Sequence, residues 1–161
     1  SKAETVFLDF YLRYPGSGHR QEAGFLAALC REERDGYDAA RELYQQLHEE
    51  NPGCSIIDEI LLRWGYCLDK LEEWSLAREK FLAIIEQQPA HGRRQEILFL
   101  IGMTFLKQNA FDSAKQYFEE AARCESQQAS FLHEVAQELC RVASDRAVES
   151  KRISAKYNPY S

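Results

Sequence analysis

Residues 39–52 read AARELYQQLHEENP and residues 76–89 read LAREKFLAIIEQQP. The two stretches lie 37 residues apart, and each carries an alanine, an aromatic ring four places later and a closing proline. The same interval extends in both directions. Ala3, Ala40, Ala77 and Ala114 are followed by Phe7, Tyr44, Phe81 and Phe118, and Pro15, Pro52 and Pro89 close three of the four units. Ser126 stands where a fourth proline would fall. A fixed interval of this size marks an array in which one small structural unit stacks on copies of itself.

Alanine and ring at four-residue spacing share one face of a helix, and the proline stops that helix. Upstream of each such helix, Leu61, Trp64, Gly65 and Leu68 align with Leu98, Ile101, Gly102 and Phe105. The earlier copy reads Gly24, Ala27, Ala28 and Arg31. Each unit is thus a first helix, a turn, a second helix and a proline exit. Ala28, Gly65 and Gly102 are small enough to let the two helices approach closely. Tyr37, Trp74 and Phe111 repeat too, each followed by a residue suited to capping a helix: Asp38, Ser75 and Asp112.

This pattern resembles the tetratricopeptide repeat over residues 3–126, whose signature is a spaced Leu-Gly, then Ala-x-x-x-Phe, then Pro. The resemblance implies an all-α, right-handed superhelical solenoid of antiparallel helix pairs. The usual period is about 34 residues, so three more must be placed. They fall after the prolines, in Pro15-Gly16-Ser17-Gly18, Pro52-Gly53-Cys54 and Pro89-Ala90-His91-Gly92. The longer loop, with Tyr14-Pro15-Gly16-Ser17 after the Phe7–Pro15 stretch, is similar to a bacterial branch that assists envelope and outer-membrane assembly. Asn51-Pro52 and Gln88-Pro89 replace Tyr-Pro in the later copies.

The register divides the chain into residues 1–15, 16–52, 53–89, 90–126 and 127–156, with a frayed tail over 157–161. All of it forms one domain. The first segment is the second helix of a partial repeat, so Ser1 falls mid-repeat, after a cut or a processed leader; a stand-alone opening helix is the other reading. Residues 127–155 contain neither glycine nor proline. Phe131, Leu132, Val135, Ala136, Leu139, Val142 and Ala143 recur there at helical steps. This stretch is a long amphipathic helix that caps the apolar face of the last repeat.

A chain of 161 residues suits a domain that buries roughly two-thirds of its unfolded surface. Its net charge of −6 comes from residues 1–80, with 16 acidic and 10 basic side chains, while residues 81–161 hold 10 of each. Such a balance disfavours nucleic acid, which requires clustered lysine and arginine. No run of about 18 apolar residues is present, so no membrane-spanning helix is expected. Cys30, Cys54, Cys67, Cys124 and Cys140 form neither a CxxC pair nor a metal-ligand spacing, and read as packing thiols. The branch resemblance implies the bacterial periplasm or cell envelope; five unpaired cysteines favour the cytoplasm instead.

Nothing in the chain reads as catalytic, metal-binding or cofactor-holding. His19, His48, His91 and His133 share no motif, and Ser17, Ser55 and Ser130 lack a nucleophile setting. The pairs Glu32-Glu33, Glu49-Glu50, Glu72-Glu73 and Glu119-Glu120 read as solvated helix faces.

In the tetratricopeptide family the first helices line a concave groove. The matching columns here are Glu22, Glu59 and Glu96; Phe25, Leu62 and Phe99; and Leu29, Tyr66 and Met103. Together they form an apolar ladder with a carboxylate border, suited to a partner helix or extended segment with apolar anchors and nearby positive charge. Two plainer readings stand beside this one: the glutamates favour the positive ends of helix dipoles, and the apolar columns pack inside the array. The Lys and Asn that hold a partner's C-terminal carboxylate in some members are replaced here by apolar residues. The expected function is a non-enzymatic scaffold for a protein or peptide partner, in envelope or secretion assembly. The alternative is a structural domain that self-associates through the N-terminal edge around Val6, Leu8 and Phe10, or through the C-terminal helix.

Overall fold

The computed structural model describes the backbone of residues 1–124 and 130–157, and the side chains of 1–124 and 134–152. Ser126, the side chains of Phe131, Leu132 and His133, and the tail 158–161 lie outside the described residues. Eight helices and no strand occur among the described residues: α1 (Lys2–Arg13), α2 (Arg20–Glu32), α3 (Tyr37–Glu50), α4 (Ile57–Lys70), α5 (Trp74–Gln87), α6 (Arg94–Lys107), α7 (Phe111–Arg123) and α8 (Ser130–Tyr157). They make an all-α helical-repeat fold. Two compact units divide the chain, Ser1–Ile84 and Ile85–Ser161.

The 37-residue register is written into the turns as well as the helices. Asp35, Glu72 and Asn109 all take left-handed backbone, with φ of 58°, 62° and 59°. The next residue in each turn donates its N–H back across the helix end, Gly36 to Arg31, Glu73 to Leu68 and Ala110 to Phe105, each at 2.9 Å. These are Schellman-type closures, which satisfy carbonyls that a helix end would otherwise leave open. Aspartate and asparagine tolerate this backbone better than most residues, whereas Glu72 adopts it at a steric cost. After each proline two short turns follow in the same register. Ser17, Cys54 and His91 donate to Tyr14, Asn51 and Gln88, and then Arg20, Ile57 and Arg94 donate to Ser17, Cys54 and His91.

Asp38 and Asp112, expected as caps, are instead the second residues of α3 and α7. The N-cap positions are Gly36 and Ala110, and neither helix has a side-chain cap. The tight turn begins each helix two residues earlier than capping would. The two acids then sit in the first turn, where they complement the dipole. Ser75 is likewise inside α5, and its hydroxyl accepts from Arg78 at 3.1 Å.

In the first unit α1, α2, α3 and α4 pack in sequence. Ala40, Ala77, Tyr44 and Phe81 are wholly buried or nearly so. A Cβ placed on Gly65 would stand 2.5 Å from the Phe81 ring, so the glycine is what lets that ring lie against α4. Tyr11 fills the same kind of gap beside Gly24. Its hydroxyl donates to Glu50 at 2.8 Å, while the Arg20 guanidinium lies 4.3 Å from its ring centroid and pairs with Glu50. This cluster ties α1 to α2 and α3. Ala3 stays exposed and Phe7 half-buried, because α1 has no first helix of its own among the described residues.

Glu32 overturns the reading of the glutamate pairs as solvated faces. It is only 8% exposed, and it accepts from the Tyr44 hydroxyl at 3.1 Å and from Arg63 at 2.8 Å. Tyr44 is the one ring of its column with a hydroxyl, so the buried acceptor goes with the buried donor. Burial raises the Glu32 pKa, opposed by the charge of Arg63 and the hydrogen bond from Tyr44. Burial also pushes the neighbouring Cys67 thiol up to about 12, which leaves it unreactive.

In the second unit Phe118 and Ala114 repeat the arrangement, and a Cβ on Gly102 would stand 2.6 Å from the Phe118 ring. Arg94 pairs with Glu120, and the Gln95 amide donates to the Ala121 carbonyl at 3.0 Å, joining α6 to α7. Helix α8 packs along α7 and touches α6. Its Ala143 enters the cluster of Ala114 and Phe118, with Leu139, Cys140 and Met103 around them.

Candidate partner-binding surface

The three columns divide between the two units. Helices α2 and α4 of the first unit carry Glu22, Phe25 and Leu29 and then Glu59, Leu62 and Tyr66; α6 of the second carries Glu96, Phe99 and Met103. Steps of three and four residues put each set along one face of its helix.

Phe25, Leu29, Tyr66, Phe99 and Met103 are half-buried, each presenting part of an apolar side chain. Phe25 tilts against Tyr44 with ring centroids 5.8 Å apart, and Phe99 against Phe118 at the same separation. The inner edge of each ring is therefore held by the second helix of its own repeat. Tyr66 meets Tyr37 edge-on at 6.3 Å, and the Lys70 ammonium lies 5.2 Å from the Tyr66 ring centroid. Leu62 behaves differently, being only 6% exposed. Ile60, Leu61, Leu62, Trp64, Cys67 and Leu68 are all buried, so α4 is enclosed on most sides and Leu62 forms floor rather than rim.

The carboxylates stand in the first turns of their helices, as the dipole argument requires. Glu22 meets His19 Nδ1 at 2.7 Å, and Glu96 holds Arg93 through two bonds of 2.8 and 2.9 Å. Both already engage a neighbour from the preceding loop. Their charge borders the apolar faces without standing alone.

One feature of the first unit was not visible as a site in sequence. Trp64 lies more than nine-tenths buried, with its indole N–H lacking an acceptor, beside a cleft formed by α3, α4 and α5. The sequence signal was present: tryptophan occupies a column otherwise filled by Ala27 and Ile101. Among the described residues no group of three His, Cys, Asp or Glu side chains is placed to hold a metal ion. No described helix is long and apolar enough to cross a membrane.

The turns, packing glycines and half-buried first-helix faces define a helical-repeat protein. The tetratricopeptide repeat model matches residues 22–53 and 59–91, so this stretch of the chain carries tetratricopeptide repeats. Its fold is similar to that of PcrH from Pseudomonas aeruginosa, with a TM-score of 0.68 and 15% identity over 80% of this chain and 94% of that one. A T3SS complex from Aeromonas hydrophila is also similar, with a TM-score of 0.68 and 15% identity over 91% and 98% of the two chains. A tetratricopeptide repeat protein from Parabacteroides merdae gives a TM-score of 0.67 and 13% identity over 97% of this chain and 66% of that one. No curated protein matches the sequence significantly.

Proposed function

We propose that this chain is a non-enzymatic scaffold that captures a helical or extended partner segment on its first-helix faces. The observation that carries this reading is the half-buried state of Phe25, Leu29, Tyr66, Phe99 and Met103. A ring held along one edge by its own repeat, and open along the other, can receive an apolar anchor without reorganising. Glu22 and Glu59 on the first unit, and Glu96 on the second, would border a segment bound to that unit and favour flanking lysine or arginine. The finer reading is a place in bacterial envelope or secretion assembly. The Tyr14-Pro15-Gly16-Ser17 loop supports it, as does fold similarity to a T3SS complex.

A suitable probe is a synthetic amphipathic peptide with leucines at i, i+3, i+4 and i+7 and lysines on its flanks. Nuclear magnetic resonance titration should shift amides of α2, α4 and α6. Leu29→Glu and Tyr66→Glu should each weaken binding about ten-fold or more, a loss of about 1.4 kcal/mol, with the helical circular dichroism unchanged. If the peptide bound both variants as tightly as the parent, the first-helix faces would not be the binding surface.

The self-association alternative has its own support: Val6 is 65% exposed and Leu12 64% exposed on α1.

A further inference from the structure

We propose a second, separate binding site in the first unit: a cleft that takes a carboxylate side chain of an acidic, leucine-bearing segment of a protein partner. The cleft has a volume of about 260 Å³ and is lined by Arg41 and Gln45 of α3, Trp64 and Leu68 of α4, and Glu73, Leu76 and Lys80 beside or on α5. It lies away from the first-helix face. At about 100° per residue, Trp64 and Leu68 are turned roughly 200° around α4 from Leu62 and Tyr66.

Three observations specify the occupant. The Trp64 indole N–H is sealed from water and has no acceptor, a state that costs stability and that an incoming oxygen would relieve. One cation lies over the indole and a second lines the cleft. The Lys80 ammonium sits 4.2 Å from the Trp64 ring centroid, and the Arg41 guanidinium lines the same cleft. They face one lining carboxylate, Glu73, which pairs with Arg41. Asp38, 3.5 Å from Arg41, and Glu79, 2.8 Å from Lys80, are exposed partners outside the cleft. A guanidinium has five N–H donors, more than these contacts consume. Finally, Leu76 is 45% exposed beside the buried Leu68, giving an apolar step next to the polar end.

An oxygen acceptor with negative charge and an aliphatic neighbour satisfies all three. The His48 ring meets the Trp64 indole edge-on, with centroids 5.7 Å apart at 60°.

The test uses a dye-labelled peptide carrying Leu-Glu-Leu-Glu in a glycine-serine frame, followed by anisotropy and by Trp64 emission in a Trp74→Phe background. Saturable binding with a changed Trp64 emission is expected. Replacing both glutamates of the peptide by glutamine, or both leucines by serine, should weaken binding at least ten-fold. Arg41→Gln and Lys80→Gln, which remove charge from half-buried side chains, should each weaken it at least five-fold, and Trp64→Phe should do the same with folding intact. Tyr66→Glu, which disables the first-helix face, should leave this binding unchanged. That separates the site from the scaffold groove. Equal binding of the glutamine peptide, an unmoved Trp64 emission, or wild-type affinity in both cation variants would overturn the proposal.

Discussion

Gly65 shows how one residue governs the spacing between helices. Alanine is favoured over glycine in a helix by about 1 kcal/mol, so propensity alone argues that Gly65→Ala stabilises α4. The added Cβ would stand 2.5, 2.8 and 3.0 Å from three atoms of the Phe81 ring, which is 1% exposed and has nowhere to move. Overpacking of that kind costs about 1–3 kcal/mol, and it outweighs propensity. Gly65→Ala should therefore lower stability in chemical denaturation, with an unchanged dependence on denaturant concentration. Ala28 occupies the same column and is wholly buried, so the demand for glycine comes from the local helix spacing rather than from the repeat as such. The column of small residues was plain in the sequence. Which member could bear no Cβ was not, because that depends on tenths of an ångström between two helices.

At the scale of elements, α1 depends on a single buried residue. Its alanine and aromatic columns are not buried, so Tyr11 supplies the docking, with its ring beside Gly24 and its hydroxyl on Glu50. Tyr11→Phe keeps the ring and removes the hydrogen bond, a loss of about 0.5–1.5 kcal/mol. Glu50 retains Arg20 as its partner, so the cost should stay within that range. Hydrogen exchange of the α1 amides should accelerate more than that of α3 or α4 in this variant. Uniform acceleration across all helices would show that α1 opens only with the rest of its unit. The Ala3 and Phe7 register placed α1 correctly as a helix, but Tyr11 lies outside the repeated columns and nothing in the spacing singled it out. The left-handed turn residues Asp35, Glu72 and Asn109 escaped notice for a related reason. They share a backbone conformation without sharing a residue type, so they repeat in φ and not in sequence.

For the whole molecule the choice lies between a scaffold that binds other proteins and an array that binds itself. The exposed Val6 and Leu12 on α1 and the 67%-exposed Val148 on α8 are the surfaces available for self-association. They are single side chains rather than a broad patch, and isolated exposed apolar residues are ordinary. Light scattering should therefore give a mass near the monomer value of 18.7 kDa at protein concentrations of tens of micromolar. A dimer mass that falls to the monomer value in a Val6→Lys, Leu12→Lys variant would instead favour the structural role.

The 37-residue interval determined the helical-repeat class, the order of the helices, the proline exits and the columns that pack at each interface. Such features are legible because they depend on side-chain type and periodicity, which a sequence states directly. Tertiary structure decided the burial. It buried Leu62 of the expected apolar ladder, turned Glu32 from a solvated acid into a buried partner of Tyr44 and Arg63, and left the Trp64 N–H without an acceptor. Periodicity places a residue on a helix face, but only the packing of neighbouring helices determines whether that face meets water, another side chain or an opening for a partner.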